Sequence, residues 1–391
     1  MKFWLRPLPV ATKAMAVVCL MGAALAGQAW AQASPAAAPA KGQTAGEVFK
    51  NVTTSTLKGI TVADFMGSMG VMAAALAFDC SDCHTGAGTD KVVWEADTER
   101  KKIARKMVEM VAVINKQNFN GVQMVTCWTC HHGRSRPATT IALDALYGPP
   151  NEEKDDVVQA GQGVPTAAQI LDKYVQALGG AQKVNALTSW IATGTQGGYQ
   201  RVRGGGQFQI FAKAPNQRAV QITFKDAKER GDQARVYDGK VGWVNTPRSI
   251  LGEYQVTGSE LDGLRLDAEL SFPGQIKQVL MNPRSGFPDN IDGKEVDVVQ
   301  GTGPGGQLVT LYFDKKTGLL TRELRFSKSP IGRVPTQVDY ADYRDVNGIK
   351  FPFSYTFSWL DGKDQFQISD VMTNIPIDAA KFAKPSGGTT H

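Results

Sequence analysis

The sequence predicts a multidomain chain: a mainly α-helical segment, then an α+β domain built on a curved antiparallel sheet. Three observations carry this. Four of the five cysteines fall between residues 80 and 130, in a stretch whose apolar residues recur at helical spacing. Beyond residue 165 apolar and polar residues alternate with period two, and turn dipeptides separate the runs. Between the two lies a segment rich in Gly, Pro and acidic residues, as suits a linker. A length of 391 residues also exceeds what one ordinary core takes.

The N-terminus is read first. Lys2, Arg6 and Lys13, the apolar residues 14–26 and the small-x-small run Ala29-Trp30-Ala31 make residues 1–31 a secretory signal peptide cleaved after Ala31. The apolar run is shorter than the roughly 20 residues a spanning helix needs. The expected location is the periplasm, with peripheral membrane association compatible. Cleavage removes Cys19 and three cationic residues and lowers the formal charge from +6 to +3. That balance, without a basic stripe, gives no reason to expect a nucleic-acid partner. With 42% hydrophobic and 20% charged residues the chain is neither disordered nor a membrane bundle.

Residues 32–44, rich in Ala and Pro, form a flexible lead-in, and 45–147 the helical domain. Residues 148–164 form the linker, with Gly148-Pro149-Pro150 and the acidic run Glu152, Glu153, Asp155 and Asp156. The second domain spans 165–385 and a disordered tail 386–391. Its first element is a helix over 167–178 with Ile170, Leu171, Tyr174 and Leu178 on one face and Gly179-Gly180 as the stop. Strands follow, such as Phe208-Gln209-Ile210-Phe211 and 308–313, with turns at Asp238-Gly239, Thr317-Gly318, Asn347-Gly348 and Asp361-Gly362. A second helix is expected over 259–270, with Ser259 as N-cap.

The helical domain repeats itself weakly. A helix with paired methionines (Met66 and Met69) precedes Cys80-Ser81-Asp82-Cys83-His84. A second (Met107 and Met110) precedes Cys127-Trp128-Thr129-Cys130-His131. Both C-x-x-C-H runs match the covalent haem c attachment pattern: two thiols three residues apart reach the two vinyl groups of one porphyrin, and the next histidine falls beneath the iron. A four-cysteine zinc site would need the pairs to converge across the 43 residues between Cys83 and Cys127, and would leave both histidines unexplained. Disulfides leave them unexplained too. Two covalently bound haem c groups are therefore expected, held by Cys80 and Cys83 and by Cys127 and Cys130, with His84 and His131 as proximal ligands.

The sixth position decides the chemistry, because a second strong ligand closes the iron and an open one admits peroxide or gas. Beyond the two proximal residues the only histidines are His132 and His391. Phe65, Met69, Met72 and Leu76 share one helical face, and Ile103, Met107, Met110 and Ile114 another. Gly67, Gly70, Ala73 and Ala74 would let the first helix approach a flat macrocycle. Spacing does not choose between Met66 and Met69, or between Met107 and Met110. Arg100, Lys101, Lys102, Arg105 and Lys106 make the second helix basic; such a face is solvated, pairs with haem propionates or docks an acidic redox partner. Trp94 and Trp128 lie near the motifs and suit packing against a porphyrin.

Residues from about 45 to 136 resemble the haem-binding half-module of the photosynthetic reaction-centre cytochrome c subunit. The resemblance rests on Phe65-Met66-Gly67-Ser68-Met69-Gly70, both C-x-x-C-H runs, Ala104-Arg105-Lys106-Met107, Ile114-Asn115 and Val125 through Gly133. It implies a distal methionine on the helix before each motif, which falls on Met69 for the first haem and Met107 for the second. That family usually carries four haems in two modules, whereas this chain has one module with two. Nothing in the sequence argues for photosynthesis itself or a lipid anchor. Residues from about 165 to 385 resemble the half-open β-barrel of LolA/LolB-like lipoprotein carriers, through Ala177-Leu178-Gly179-Gly180, Tyr237-Asp238-Gly239-Lys240, Leu311-Tyr312-Phe313-Asp314 and residues 342–352. That resemblance implies a curved half-barrel around an apolar interior, which either takes a lipid or quinone-like ligand or is a filled scaffold.

The expected function is electron transfer through two His/Met-ligated haems, to or from periplasmic or membrane-associated redox proteins, rather than catalysis. Two alternatives stay open: a peroxidase-like dihaem enzyme with one open iron, and a β-domain that binds an apolar ligand with the haems as sensor. No catalytic constellation stands out.

Overall fold

In the computed structural model, residues 42–89, 91–141, 143–148, 157–198, 205–224, 231–246, 251–360 and 362–385 are described. The expected signal peptide with Cys19, the expected lead-in up to residue 41, the acidic run 152–156, Asp361 and residues 386–391 with His391 lie outside the described residues. The chain opens with short helices α1 (Ala45–Val48) and α2 (Ser55–Lys58), then the longer α3 (Val62–Leu76). Helix α4 (Cys80–Cys83) carries the first cysteine motif, α5 (Glu99–Asn118) is the longest helix, and α6 (Cys127–His131) carries the second motif. A short α7 (Leu143–Tyr147) ends the helical region. No helix among the described residues is long and apolar enough to cross a membrane.

Helix α8 (Ala167–Leu178) begins at Thr166, whose hydroxyl accepts from the Gln169 amide while Gln169 reaches back, a reciprocal cap. It buries Ile170, Leu171, Tyr174 and Leu178, the face read from the sequence, and stops at Gly179, whose φ of 132° suits glycine. After α9 (Ala181–Asn185) come six strands: β1 (Ser189–Gly198), β2 (Gly206–Lys213), β3 (Gln217–Phe224), β4 (Gln233–Tyr237), β5 (Gly242–Thr246) and β6 (Gly252–Val256). Helix α10 (Gly258–Leu270) and short α11 (Ile276–Val279) lead to the second set. These are β7 (Met281–Ser285), β8 (Asp289–Ile291), β9 (Lys294–Thr302), β10 (Leu308–Asp314), β11 (Leu320–Ser329), β12 (Gly332–Val346), β13 (Ile349–Trp359) and β14 (Gly362–Thr373).

All these strands join one antiparallel sheet in the order β6-β5-β4-β3-β2-β1-β14-β13-β12-β11-β10-β9-β7, with β8 paired on β9. Neighbouring pairs are mostly hairpins, as the turn dipeptides predict; Asn347 and Gly348, joining β12 to β13, both take positive φ. The exceptions are β7 with β9, which have β8 between them in the chain, and β1 with β14, which closes the two halves of the sheet with Trp190 opposite Thr373. Helix α10 shows that the sheet curves. On one side Leu264 and Ala268 pack with Tyr237 and Val244 of β4 and β5; on the other, Asp267 meets Arg325 of β11. A flat sheet could not present both to one helix. The cap of α10 differs from expectation: Thr257 is the N-cap residue, and Ser259, one turn position inside, donates instead to the Asp64 carboxylate of α3.

The helical region packs directly on this sheet. Ile331, in the turn between β11 and β12, is fully buried in a cluster with Leu57, Val71 and Val108. A Cβ on Gly67 would stand 3.0 Å from Val334, and one on Gly70 would stand 3.2 Å from Leu360. The small residues of α3, expected to admit a macrocycle, are used at Gly67 and Gly70 to let the helix approach the sheet.

Candidate haem-binding site

Each cysteine motif is a short helix started by its own cap. Asp79 accepts from the amides of Ser81 and Asp82, and Asp82 returns the bond to the Asp79 amide. Thr126 and Thr129 make the same reciprocal box ahead of Cys127. In both cases the third helical residue is the second x of C-x-x-C, so the attachment motif and the helix start are one sequence feature. All four thiols are free; Cys80 and Cys130 are exposed, and Cys83 and Cys127 half-buried. Burial pushes the Cys127 thiol up to about 11 and raises Cys83 as well. Among the described residues no three His, Cys, Asp or Glu side chains converge as metal ligands, so the two pairs do not form one zinc centre.

The two histidines are prepared differently. His131 Nδ1 donates to the Arg134 carbonyl at 2.9 Å, which fixes the tautomer and leaves Nε2 as a lone-pair donor. His84 Nδ1 is buried with no hydrogen-bond partner among the described residues. Burial first, and then the Lys101 ammonium, lower the His84 pKa, so its imidazole is neutral, the form that ligates metal. The Trp94 ring stands edge-on to His84 with centroids 5.0 Å apart. Trp128 instead lies against His132, at 5.5 Å. Each motif thus sets two thiols beside one histidine, the set that haem c attachment needs, with the Nδ1 atom paired at His131 and unpaired at His84.

The methionines sit on different surfaces. Met69 and Met72 are half-buried against the Leu57, Val71, Val108 and Ile331 cluster, to which Cys127 of the second motif also packs. The end of α3 is tied to that motif too: the amides of Gly133 and Arg134 both donate to the Ala75 carbonyl, at 2.9 and 3.2 Å. The start of α5 is tied to the first motif through Thr98 Oγ1 on the Cys83 carbonyl (3.0 Å) and Arg100 on Asp82. Met107 lies further along α5 and is 36% exposed, in a row with Ile103 and Met110, while Val108, Val111 and Asn115 face inward. A partly exposed apolar row of this kind is a surface that a porphyrin face would cover.

Asn115 has a structural role. It is buried, its Nδ2 donates to the Val125 carbonyl at 2.7 Å, and its Oδ1 accepts from the amides of Met124 and Val125. That clamp holds the segment entering the second motif against α5. The basic face of α5 is mostly engaged by neighbours: Arg100 with Asp82, Lys102 with Glu99, Arg105 with Asp97, and Lys101 with the Trp94 and Ala96 carbonyls.

A model of the photosynthetic reaction centre cytochrome C subunit family matches residues 18–173. No curated protein sequence matches the chain. Among solved structures, a LolA superfamily protein from Nitrosomonas europaea is 17% identical, with 56% of this chain and 99% of that one covered at a TM-score of 0.39. A putative outer membrane lipoprotein-sorting protein domain from Vibrio parahaemolyticus is 10% identical, with 55% and 97% covered at a TM-score of 0.37. The family match implies a haem c cytochrome, and the pairs at 80–83 and 127–130 fit two haems. Residues 18–173 are thus similar to the reaction-centre cytochrome c subunit family, and an antiparallel β-domain follows them.

Proposed function

We propose that this protein is a periplasmic dihaem electron carrier. Cys80 and Cys83 would hold one haem and Cys127 and Cys130 the other, with His84 and His131 as proximal ligands and Met69 and Met107 as distal ones. The observation that carries the reading is that two capped C-x-x-C-H turns each present free thiols beside a histidine ready to ligate, with His131 Nε2 freed by the Arg134 carbonyl. When bound, haem supplies a one-electron couple at each site, and methionine ligation raises its potential. The chain's own part is to hold each imidazole beside its pair of thiols, His131 through the Arg134 carbonyl and His84 against the Trp94 ring. Redox partners would be periplasmic or membrane-associated proteins, with the chain itself at most peripherally attached to a membrane.

Intact-mass measurement of the exported protein tests this. The expected result is a mass gain of two haems, falling to one in a Cys80→Ala/Cys83→Ala variant and to one in a Cys127→Ala/Cys130→Ala variant. An unmodified mass from cells able to attach haem c would reject the proposal.

A further inference from the structure

Lys101, the third residue of α5, is half-buried, and its Nζ donates to the Trp94 and Ala96 carbonyls at 2.5 and 2.9 Å. The Trp94 ring is the one that stands edge-on to His84, and the Trp94 carbonyl acts on the same imidazole, favouring its protonated form. Thr98, the N-cap residue of α5, holds the Cys83 carbonyl, so the helix start that carries Lys101 is fixed to the first motif. The carboxylates nearby are paired with other cations: Asp82 with Arg100, Asp97 with Arg105, Glu99 with Lys102 and Glu95 with Lys50. Among the described residues the hydrogen-bond partners of Lys101 are carbonyls, so no bonded carboxylate cancels its charge.

The second motif differs in two respects. Arg134 and Arg136, the cations that follow it in sequence, are exposed, where water and salt screen them. His131 Nδ1 donates to the Arg134 carbonyl, whereas His84 Nδ1 has no partner. Oxidised haem iron carries one more positive charge than reduced iron, so a half-buried cation beside a proximal imidazole disfavours the oxidised form. Donation from Nδ1 to a carbonyl makes the imidazole a stronger electron donor and favours the oxidised form. Both differences act in the same direction. We infer that Lys101 is a positioning residue that makes the first haem the more readily reduced of the two, so that an electron held by the protein rests at the His84 site. Internal transfer then runs from the His131 site to the His84 site. The inference rests on the dihaem electron-carrier reading.

The test is an optical redox titration of the exported full-length protein and of its Lys101→Met and Lys101→Arg variants, with the intact mass recorded first. Two one-electron components are expected, at least tenfold apart in reduction equilibrium, or about 59 mV. Lys101→Met should lower the higher component at least threefold and leave the lower one in place. Lys101→Arg, which keeps the charge, should leave both in place. A Cys127→Ala/Cys130→Ala variant, with haem at the first motif alone, should titrate at the higher value, and Cys80→Ala/Cys83→Ala at the lower. Should a cysteine variant not fold, the Lys101 variants decide by themselves. A shift of the lower component instead of the higher overturns the inference, as does no shift of either or an equal loss in the Met and Arg variants. Each of these leaves the carrier reading intact. A mass without haem refutes the carrier reading, and this inference falls with it.

Discussion

The backbone amide of Cys127 donates to the carbonyl of Ile331 at 3.2 Å, so an attachment cysteine of the second motif is tied directly to a turn of the β-domain. Gln123 Nε2 reinforces the tie on the Ser329 carbonyl, at 2.8 Å. Ile331 then fills the core of the helical region from the sheet side. The helical region is therefore completed by the β-domain.

Ile331→Ala should accordingly destabilise the helical region, not only its own hairpin. Removing a fully buried isoleucine side chain costs about 2–5 kcal/mol. Denaturation followed at the haem band should shift along with that followed by far-ultraviolet dichroism. A haem-band midpoint unchanged from the unsubstituted protein would show that the helical region has a sufficient core of its own.

Asn115→Ala removes three hydrogen bonds and takes the Asn115 partner from the Val125 carbonyl and amide, while the Met124 amide keeps the Val122 carbonyl at 2.9 Å. The expected loss is about 2–3 kcal/mol. Amide exchange should quicken at Met124 and Val125 while α3 stays protected. Uniform acceleration across both helices would mean that the clamp is not local.

The thiols should differ in protein made without haem attachment. Cys80 and Cys130 are exposed, whereas burial holds the Cys127 thiol at about 11. At pH 8 iodoacetamide should label Cys80 and Cys130 at least about tenfold faster than Cys127. Peptide mapping reads this out, and equal rates would contradict the burial of Cys127.

The Asp364 carboxylate, paired with Gln196, gives a pH signature. Burial raises the Asp364 pKa, against the opposing pull of Gln196 and Arg235. A raised carboxyl binds its proton more tightly folded than unfolded. Its contribution to stability is thus present below the ordinary carboxylate value of about 4 and is lost as pH rises through the raised one. The melting temperature of Asp364→Asn should lack that decline. Parallel profiles for the two proteins would show that Asp364 does not titrate as its burial requires.

Much of this was legible in the sequence because local chemistry dictated it. The helix at 167–178, its glycine stop and the hairpin turns follow from period and turn residues, and the attachment motifs from three fixed positions each. What was not legible depends on partners distant in sequence. Gly67 and Gly70 read as room for a macrocycle, but Val334 and Leu360 occupy that room. Ser259 read as a cap, but Asp64, nearly two hundred residues earlier, takes its hydroxyl.

The most direct test of two His/Met haem centres is the oxidised optical spectrum of the exported protein, beside Met69→Ala and Met107→Ala. A weak band at the red edge, reduced by half in each variant and absent from the double variant, is the expected result. A high-spin spectrum in the unsubstituted protein would contradict it by showing an open iron, and a band unchanged by either substitution would show that other residues hold the sixth positions.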